Sequence, residues 1–241
     1  MTYCVGLLLN QGMVLLSDTR TNAGLDNIST YRKMFFFEDP GERVIVIMTA
    51  GSLSVTQTTI SRLREAIDAP DATEDTSIMK APTILKSAAI IGNMLALVRG
   101  EIDEKLTAMK QGASASMIVA GQRKGGPMRL FLIYPEGNFI QATEDTPFLQ
   151  IGEHKYGKPI LDRVIKPATS LADAQKAVLL SMDSTLRSNL SVGMPLDLCV
   201  IENDACAVSR KRRIEAGDEA FRVMSEAWGK ALRDGFIQIN I

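Results

Sequence analysis

The sequence predicts an α+β fold, because its strand-like and helix-like segments come in separate blocks. Apolar runs of strand length fill the first 50 residues, and apolar residues at three- and four-residue steps follow between about residues 52 and 109. Strand-like runs return from Ser116 onward. Regular alternation of strands and helices would indicate a doubly wound parallel sheet, and this chain lacks it. The residue pattern alone predicts no more than a mixed α+β class.

The strand-like segments begin with a hairpin. Thr2–Leu9 and Met13–Ser17 flank the turn-like sequence Asn10-Gln11-Gly12, which favours two antiparallel strands. A third apolar run is Arg32–Phe37. The later strand-like runs are residues 117–120, 129–134, 139–142, 196–202 and 206–209.

Helices are predicted where apolar residues recur with helical spacing. These segments are residues 52–67, residues 84–109, a stretch from Ser170 and a last stretch around residues 221–232. Ser170, with Asp173 three residues later, is typical of a helix start. No linker composition divides the chain, so we expect one domain over residues 1–241.

Composition limits the class of protein. The 241 residues carry a net charge of −1, which gives no reason to expect nucleic-acid or membrane binding. Three cysteines lie in apolar surroundings without the spacing of a zinc site, so we expect buried free thiols, no metal and no cofactor. No signal peptide is recognised, and the longest apolar stretch is too short and interrupted to span a bilayer. A cytoplasmic location is therefore expected.

Thr2 is the most informative residue for function. It follows Met1, and methionine is generally removed before small residues, so we expect the mature chain to begin at Thr2. A Thr at the N-terminus carries a hydroxyl nucleophile and a free α-amine on one residue. Because an α-amine has a pKa of about 7.7–8.0, a useful fraction is a free base near neutral pH.

Further polar residues follow Thr2 in a fixed order. Asp18 closes the second strand-like run, Lys33 begins the third, and Met48–Leu53 is a strand-to-helix segment that contains Gly51. In this order the residues resemble a proteasome-type β subunit. The segments Met1–Gly6, Ser17–Gly24 and Ile151–Pro159 resemble in particular the bacterial Anbu (ancestral β subunit) branch of that family.

The resemblance implies a four-layer αββα sandwich of the Ntn-hydrolase type. It also implies that Thr2 is the nucleophile, that Lys33 stabilises the developing alkoxide, and that Asp18 holds Lys33. Backbone N–H groups at Gly51 would stabilise an oxyanion. The alternatives from the residues alone are a surface ion pair for Asp18 and Lys33, and an ordinary helix boundary at Gly51.

Other site residues are inferred from the same resemblance. Asp183 is a candidate to hold the Thr2 amine or hydroxyl, with a solvated helix residue as the alternative, and Ser188 would assist it. Arg20 is expected to brace the turn after Asp18. Thr21 and Leu53 would line an uncharged substrate pocket.

The sequence leaves more than one function open. The first is an N-terminal threonine hydrolase that cleaves peptide or related amide bonds inside a ring-shaped or helical homo-oligomer. The second is an assembly subunit with weak or no peptidase activity, and the third is an Ntn-type amidase or acyl transferase for a non-protein amide. Glu153 after Gly152, and Leu186-Arg187 where the family usually has Ser-Gly, depart from the family pattern. The sequence does not identify the substrate, an ATPase partner, or the roles of Glu153 and His154.

Overall fold

The architecture rests on two five-stranded antiparallel sheets and one two-stranded ribbon. The structure is a computed structural model and describes residues 2–22, 28–108 and 112–240, without the side chains of residues 104–108. Met1 with its expected removal, Ala23 and Gly24 of the family-like segment, and Met109 of the second predicted helix lie outside the described residues.

The strands lie at β1 Tyr3–Leu9, β2 Gly12–Asp18, β3 Arg20–Asn22, β4 Ile28–Thr30, β5 Met34–Asp39, β6 Arg43–Gly51, β7 Ala115–Arg123, β8 Arg129–Ile133, β9 Phe139–Gln141, β10 Phe148–Gly152, β11 Leu196–Glu202 and β12 Arg210–Ile214. The helices lie at α1 Leu53–Asp68, α2 Ile84–Ala108, α3 Lys158–Val164, α4 Leu171–Ser188 and α5 Glu219–Gln238.

The two large sheets pack face to face between layers of helices. One sheet has the strand order β10-β1-β2-β11-β12, and the other has the order β5-β6-β7-β8-β9. An apolar cluster that includes Cys4, Met48 and Ile118 fills the space between the sheets. Separate clusters join one sheet to α1 and α2 and the other sheet to α3 and α4. The predicted αββα sandwich is confirmed by this layering.

Some predicted segments were wrong in position. The strand expected at Cys206–Ser209 lies instead at Arg210–Ile214, where it forms a sheet edge beside β11. Four of its five residues are exposed, so it carries the charged sequence Arg210–Arg213 rather than apolar residues. The strand β10 was not predicted, and neither was α3, whose seven residues are too few to show a helical repeat of apolar positions.

The structure also bears on the cysteines and on the question of a membrane-spanning helix. All three cysteines are buried and unpaired, as predicted. Within the described ranges, no helix combines the length and apolar character needed to cross a membrane.

Candidate active site

The β1–β2 hairpin brings the start of the chain to the end of the second strand. Cys4 pairs with Ser17 and Leu9 with Gly12 across the antiparallel ladder, which places Thr2 beside Asp18. The backbone N–H of Tyr3 donates to Asp18 Oδ1 at 3.1 Å. Asp18 is therefore hydrogen-bonded to the peptide group that joins Thr2 to Tyr3.

The same peptide is held from its other side by the end of β10. The N–H of Glu153 donates to the Thr2 carbonyl oxygen at 2.7 Å. Gly152 makes this approach possible, because it has a φ of 81° and a Cβ added to it would lie 2.7 Å from the Thr2 carbonyl carbon. Thr2 is consequently buried, with 6% of its surface exposed, and its backbone is fixed from two strands.

Lys33 and Asp18 form a buried ion pair. Lys33 Nζ lies 2.8 Å from Asp18 Oδ1 and also donates to the carbonyl oxygen of Arg20 at 2.5 Å. Both side chains are almost completely shielded from solvent. The alternative of a surface ion pair is wrong, and the pair forms part of the structure around Thr2.

The second carboxylate oxygen of Asp18 has its own donor. The N–H of Gly193 donates to Asp18 Oδ2 at 3.3 Å. Burial raises the pKa of the Asp18 carboxyl above its ordinary value, and the Lys33 ammonium and the two backbone N–H donors offset part of that rise. Asp18 therefore loses its proton at a higher pH than an exposed aspartate does.

Arg20 braces the loop that supplies this Gly193 donor. Arg20 Nη1 donates to the carbonyl oxygen of Leu190 at 2.9 Å. The guanidinium packs against Gly193, where an added Cβ would come within 2.7 Å of Nη2. Arg20 thus holds Lys33 with its carbonyl group and holds the Gly193 loop with its side chain.

Gly51 closes β6 at the edge of the site. Its φ of 106° and the proximity of Ala115, 2.8 Å from an added Cβ, leave room only for glycine. The N–H of Thr49, two residues earlier, donates to the Lys33 carbonyl oxygen at 2.9 Å. Because N–H groups alternate in direction along a strand, the N–H of Gly51 faces the same side as that of Thr49, beyond the start of β5.

A cleft of about 580 Å³ opens at this point. Its lining joins Thr2 and Lys33 to the end of β6 and the start of α1. The predicted pocket residues Thr21 and Leu53 both line it. The described residues that line the cleft are Thr2, Thr21, Asn22, Lys33, Thr49, Ala50, Gly51, Ser52, Leu53, Ser54, Thr56, Gly112 and Ser114.

Asp183 is not among the described residues that line this cleft. It lies on α4 with 5% of its surface exposed, and its carboxylate accepts from Ser225 Oγ at 2.7 Å and from Arg187 Nε at 3.1 Å. Helix α4 directs Asp183 toward α5, so its expected contact with Thr2 is absent from the described structure. The alternative of a solvated helix residue is also wrong. Ser188, at the end of α4, is exposed and makes no side-chain contact with Thr2 among the described residues.

The structure shows where Glu153 and His154 lie, two residues whose roles the sequence did not identify. Glu153 acts on Thr2 through its backbone N–H, so this contact does not require a particular side chain. His154 is exposed, with Nδ1 lying 3.1 Å from the carbonyl oxygen of Gly152. Within the described residues, no cluster of three or more His, Cys, Asp or Glu side chains forms a metal-binding group.

Sequence reasoning missed the loop at residues 189–193. Its contribution to the site is the Gly193 N–H, and a backbone donor leaves little trace in a residue pattern. The only available signal was the glycine itself, which permits the close approach of Arg20.

The layered sheets and the buried Thr2 define a class, the proteasome-type Ntn-hydrolase fold. Residues 2–201 match the family model described as proteasome subunit. The chain therefore belongs to the proteasome subunit family. No curated protein matches this sequence.

Solved structures similar to this chain carry the name Anbu. An Anbu (Gly-1) mutant from Hyphomicrobium sp. strain MC1 is 48% identical, with 100% of this chain and 99% of that chain covered and a TM-score of 0.93. Anbu (ancestral beta-subunit) from Yersinia bercovieri is 41% identical, with coverages of 99% and 98% and a TM-score of 0.90. A helical assembly of the Anbu complex from Pseudomonas aeruginosa contains a chain that is 42% identical, with coverages of 99% and 97% and a TM-score of 0.92. The resemblance to the Anbu branch is thereby confirmed over the full chain.

Proposed function

We propose that this protein is an N-terminal threonine hydrolase that cleaves peptide or related amide bonds. The observation that carries the proposal is the buried Lys33–Asp18 pair on a cleft whose lining also includes Thr2 and Gly51. A buried charge pair is expensive to desolvate, and a site that must stabilise a developing negative charge gives a reason for its presence. Membership of the proteasome subunit family supports the same chemistry.

The proposed reaction begins once Met1 is removed. The Thr2 hydroxyl attacks the amide carbonyl, and the Thr2 α-amine takes the hydroxyl proton through a water molecule. The Lys33 ammonium stabilises the alkoxide, and the Gly51 N–H stabilises the oxyanion of the tetrahedral intermediate. The leaving amine receives the proton from the Thr2 ammonium, and an ester of Thr2 remains. Water then attacks that ester, releases the acid product and restores Thr2.

Lys33 has a second effect in this scheme. An ammonium close to the Thr2 amine disfavours a second positive charge, so it lowers the pKa of that amine and increases the fraction of free base. Asp18 keeps Lys33 in place through the 2.8 Å ion pair. Neither residue forms a bond to the substrate in the proposed reaction, and both act through charge.

A second candidate function is an assembly subunit with weak or no hydrolase activity. It is favoured by the position of Asp183, which contacts Ser225 and Arg187 rather than Thr2. The cleft has no carboxylate among its described lining residues to orient the Thr2 amine. An Ntn-type amidase or acyl transferase for a non-protein amide would share the Thr2 mechanism and differ in its substrate.

The protein is proposed to act as a homo-oligomer. Helix α5 and the residue after it expose several large apolar side chains, Val223, Leu232, Phe236, Ile237 and Ile239. Such side chains on a surface indicate a contact with another chain. The similar chain from Pseudomonas aeruginosa occurs in a helical assembly, which supports self-association into a ring or helix here. A monomeric mass in native scattering at micromolar concentration would contradict this part of the proposal.

Three Thr2 variants test the hydrolase. Thr2→Ser keeps the hydroxyl and the amine and should retain part of the activity, whereas Thr2→Ala loses the nucleophile and should lose turnover and covalent labelling. An uncleavable residue added before Thr2 converts the amine to an amide and should also be inactive. Turnover of fluorogenic peptides and labelling by a peptide epoxyketone are the measurements, with intact mass to establish that Met1 is absent.

A matched control for these variants is Thr58→Ala, since Thr58 lies on α1 outside the residues that line the cleft. It should behave as the parent protein does. Equal turnover by the parent and by Thr2→Ala would exclude the threonine mechanism. A parent protein that neither cleaves nor becomes labelled would favour the assembly subunit.

A further inference from the structure

Most of the residues that line the cleft beside Thr2 have side chains that can form hydrogen bonds. Six hydroxyl-bearing residues other than Thr2 line it, namely Thr21, Thr49, Ser52, Ser54, Thr56 and Ser114. Its apolar side chains in the described structure are Ala50 and Leu53. A substrate side chain that carries a donor and an acceptor can therefore form hydrogen bonds with this lining, whereas an apolar side chain cannot.

The hydroxyl groups deep in the cleft differ in how they are satisfied. Thr49 and Thr56 are both buried, with 4% of their surface exposed. The Thr56 hydroxyl donates to the Leu53 carbonyl oxygen at 3.1 Å, and the Ser52 and Ser54 hydroxyls are 3.1 Å apart. Thr49 also lines the cleft, and its hydroxyl is not one of the buried atoms without a partner in the described structure. This hydroxyl is available as a donor to a group that enters the cleft.

Asn22 contributes an unmatched acceptor. It lines the cleft, and its Oδ1 is buried without a hydrogen-bond partner in the described structure. A buried acceptor is costly to leave without a donor, and most such atoms in folded proteins have one. A substrate N–H group in the cleft would supply it.

Charge in the cleft does not favour an ionised substrate side chain. Lys33 is the charged residue among its described lining, and its charge is matched by Asp18 at 2.8 Å. A basic side chain would find no carboxylate among these residues. An acidic side chain would find an ammonium whose charge Asp18 already offsets.

We propose that the cleft binds the carboxamide side chain of a Gln or Asn residue on the acyl side of the bond to be cleaved. The carboxamide oxygen accepts from the Thr49 hydroxyl, and the carboxamide NH₂ donates to Asn22 Oδ1. One uncharged group thus satisfies the unmatched Asn22 oxygen and accepts from Thr49. This inference rests on the proposed function, which places the acyl group of the substrate at Thr2.

Binding of product-like peptides tests the inference without requiring turnover. N-acetyl tetrapeptides that end in Gln, Glu or Met have last side chains of similar length and differ in hydrogen bonding and charge. Their affinities for the oligomer of the Thr2→Ala variant are measured by calorimetry. The Gln peptide should bind about tenfold more tightly than the Met and Glu peptides, which is what one net hydrogen bond supplies.

Thr49→Val in the same background keeps the side-chain shape and removes the hydroxyl. It should reduce the affinity for the Gln peptide to that for the Met peptide, whereas Thr58→Val on the outer part of α1 should leave the preference unchanged. Equal or tighter binding of Met, a preference that persists in Thr49→Val, or no binding of any peptide would overturn the inference. Failure of the proposed function would show separately, as absence of turnover and labelling by the parent.

Discussion

Gly152 and Thr2 approach each other so closely that no side chain fits between them. A Cβ added to Gly152 would overlap the Thr2 carbonyl oxygen and lie 2.7 Å from the carbonyl carbon. The N–H of the next residue, Glu153, donates to that oxygen at 2.7 Å. The position of the proposed nucleophile therefore depends on a glycine that is 150 residues away in the sequence.

Gly152→Ala should displace Thr2 and reduce epoxyketone labelling by about 100-fold or more, since small displacements of reacting groups have effects of this size. The matched control is Gly41→Ala. Gly41 has a φ of 83°, close to the 81° of Gly152, but nothing within 4 Å of its added Cβ. The control bears only the backbone strain of roughly 1–2 kcal/mol. If both variants are labelled at the parent rate, the contact does not position Thr2.

Lys33→Met keeps the length of the side chain and removes its charge. Labelling should fall by about 100-fold or more, because the group that stabilises the alkoxide is lost. At neutral pH the variant should also be less stable by about 3–5 kcal/mol, because a buried carboxylate is left without its partner. Lys124→Met, which removes a lysine from an exposed pair with Glu42, is the control and should change neither property.

The stability loss in Lys33→Met should depend on pH. Burial already raises the Asp18 pKa in the folded parent, and removing the ammonium raises it further. A carboxyl whose folded pKa exceeds its unfolded pKa becomes less favourable to folding as pH rises through the folded pKa. The thermal midpoints of parent and variant should therefore converge in acid, where Asp18 is protonated in both, and separate as pH rises toward neutrality. A constant difference from pH 4 to pH 8 would contradict this linkage.

Tyr3→Phe tests the contacts beneath the first strand. The Tyr3 hydroxyl lies 2.6 Å from both Ser181 Oγ and Gln150 Nε2, and burial raises its pKa to about 12. Removing it leaves buried polar groups unmatched, so unfolding free energy should fall by about 1–3 kcal/mol. Tyr156→Phe, at an exposed tyrosine, should have no measurable effect. Equal denaturation midpoints for the two variants would show that the Tyr3 contacts contribute little.

Asp183→Asn distinguishes a structural role of Asp183, in which it attaches α5, from a catalytic role at Thr2. The structure connects Asp183 to Ser225 of α5, so the variant should loosen the attachment of α5 and increase its amide hydrogen exchange while labelling of Thr2 continues. Ser225→Ala, which removes the donor from the other side, should give the same result. Loss of labelling in Asp183→Asn but not in Ser225→Ala would return Asp183 to the catalytic site.

The order of Thr2, Asp18 and Lys33 along the chain carried the resemblance to proteasome-type β subunits, and that resemblance implied that the three residues lie together. The residue pattern alone left a surface ion pair open for Asp18 and Lys33. The β1–β2 hairpin brings Thr2 and Asp18 together, whereas Lys33 directly precedes β5 of the other large sheet and reaches Asp18 where the two sheets pack. The grouped strands and helices predicted the α+β class, since hydrophobic spacing is a local property.

The surroundings of these residues depend on contacts between distant segments of the chain. Gly152, Glu153 and Gly193 reach the site through backbone atoms, and a backbone N–H is present in almost every residue, so no residue type identifies it. The direction of Asp183 was likewise fixed by how α4 packs against α5, not by its neighbours in sequence. Residue types and their order along the chain established the chemical groups and the class of fold. Packing of distant segments determined which backbone groups hold Thr2 and Asp18, because such contacts depend on the relative placement of whole strands and helices.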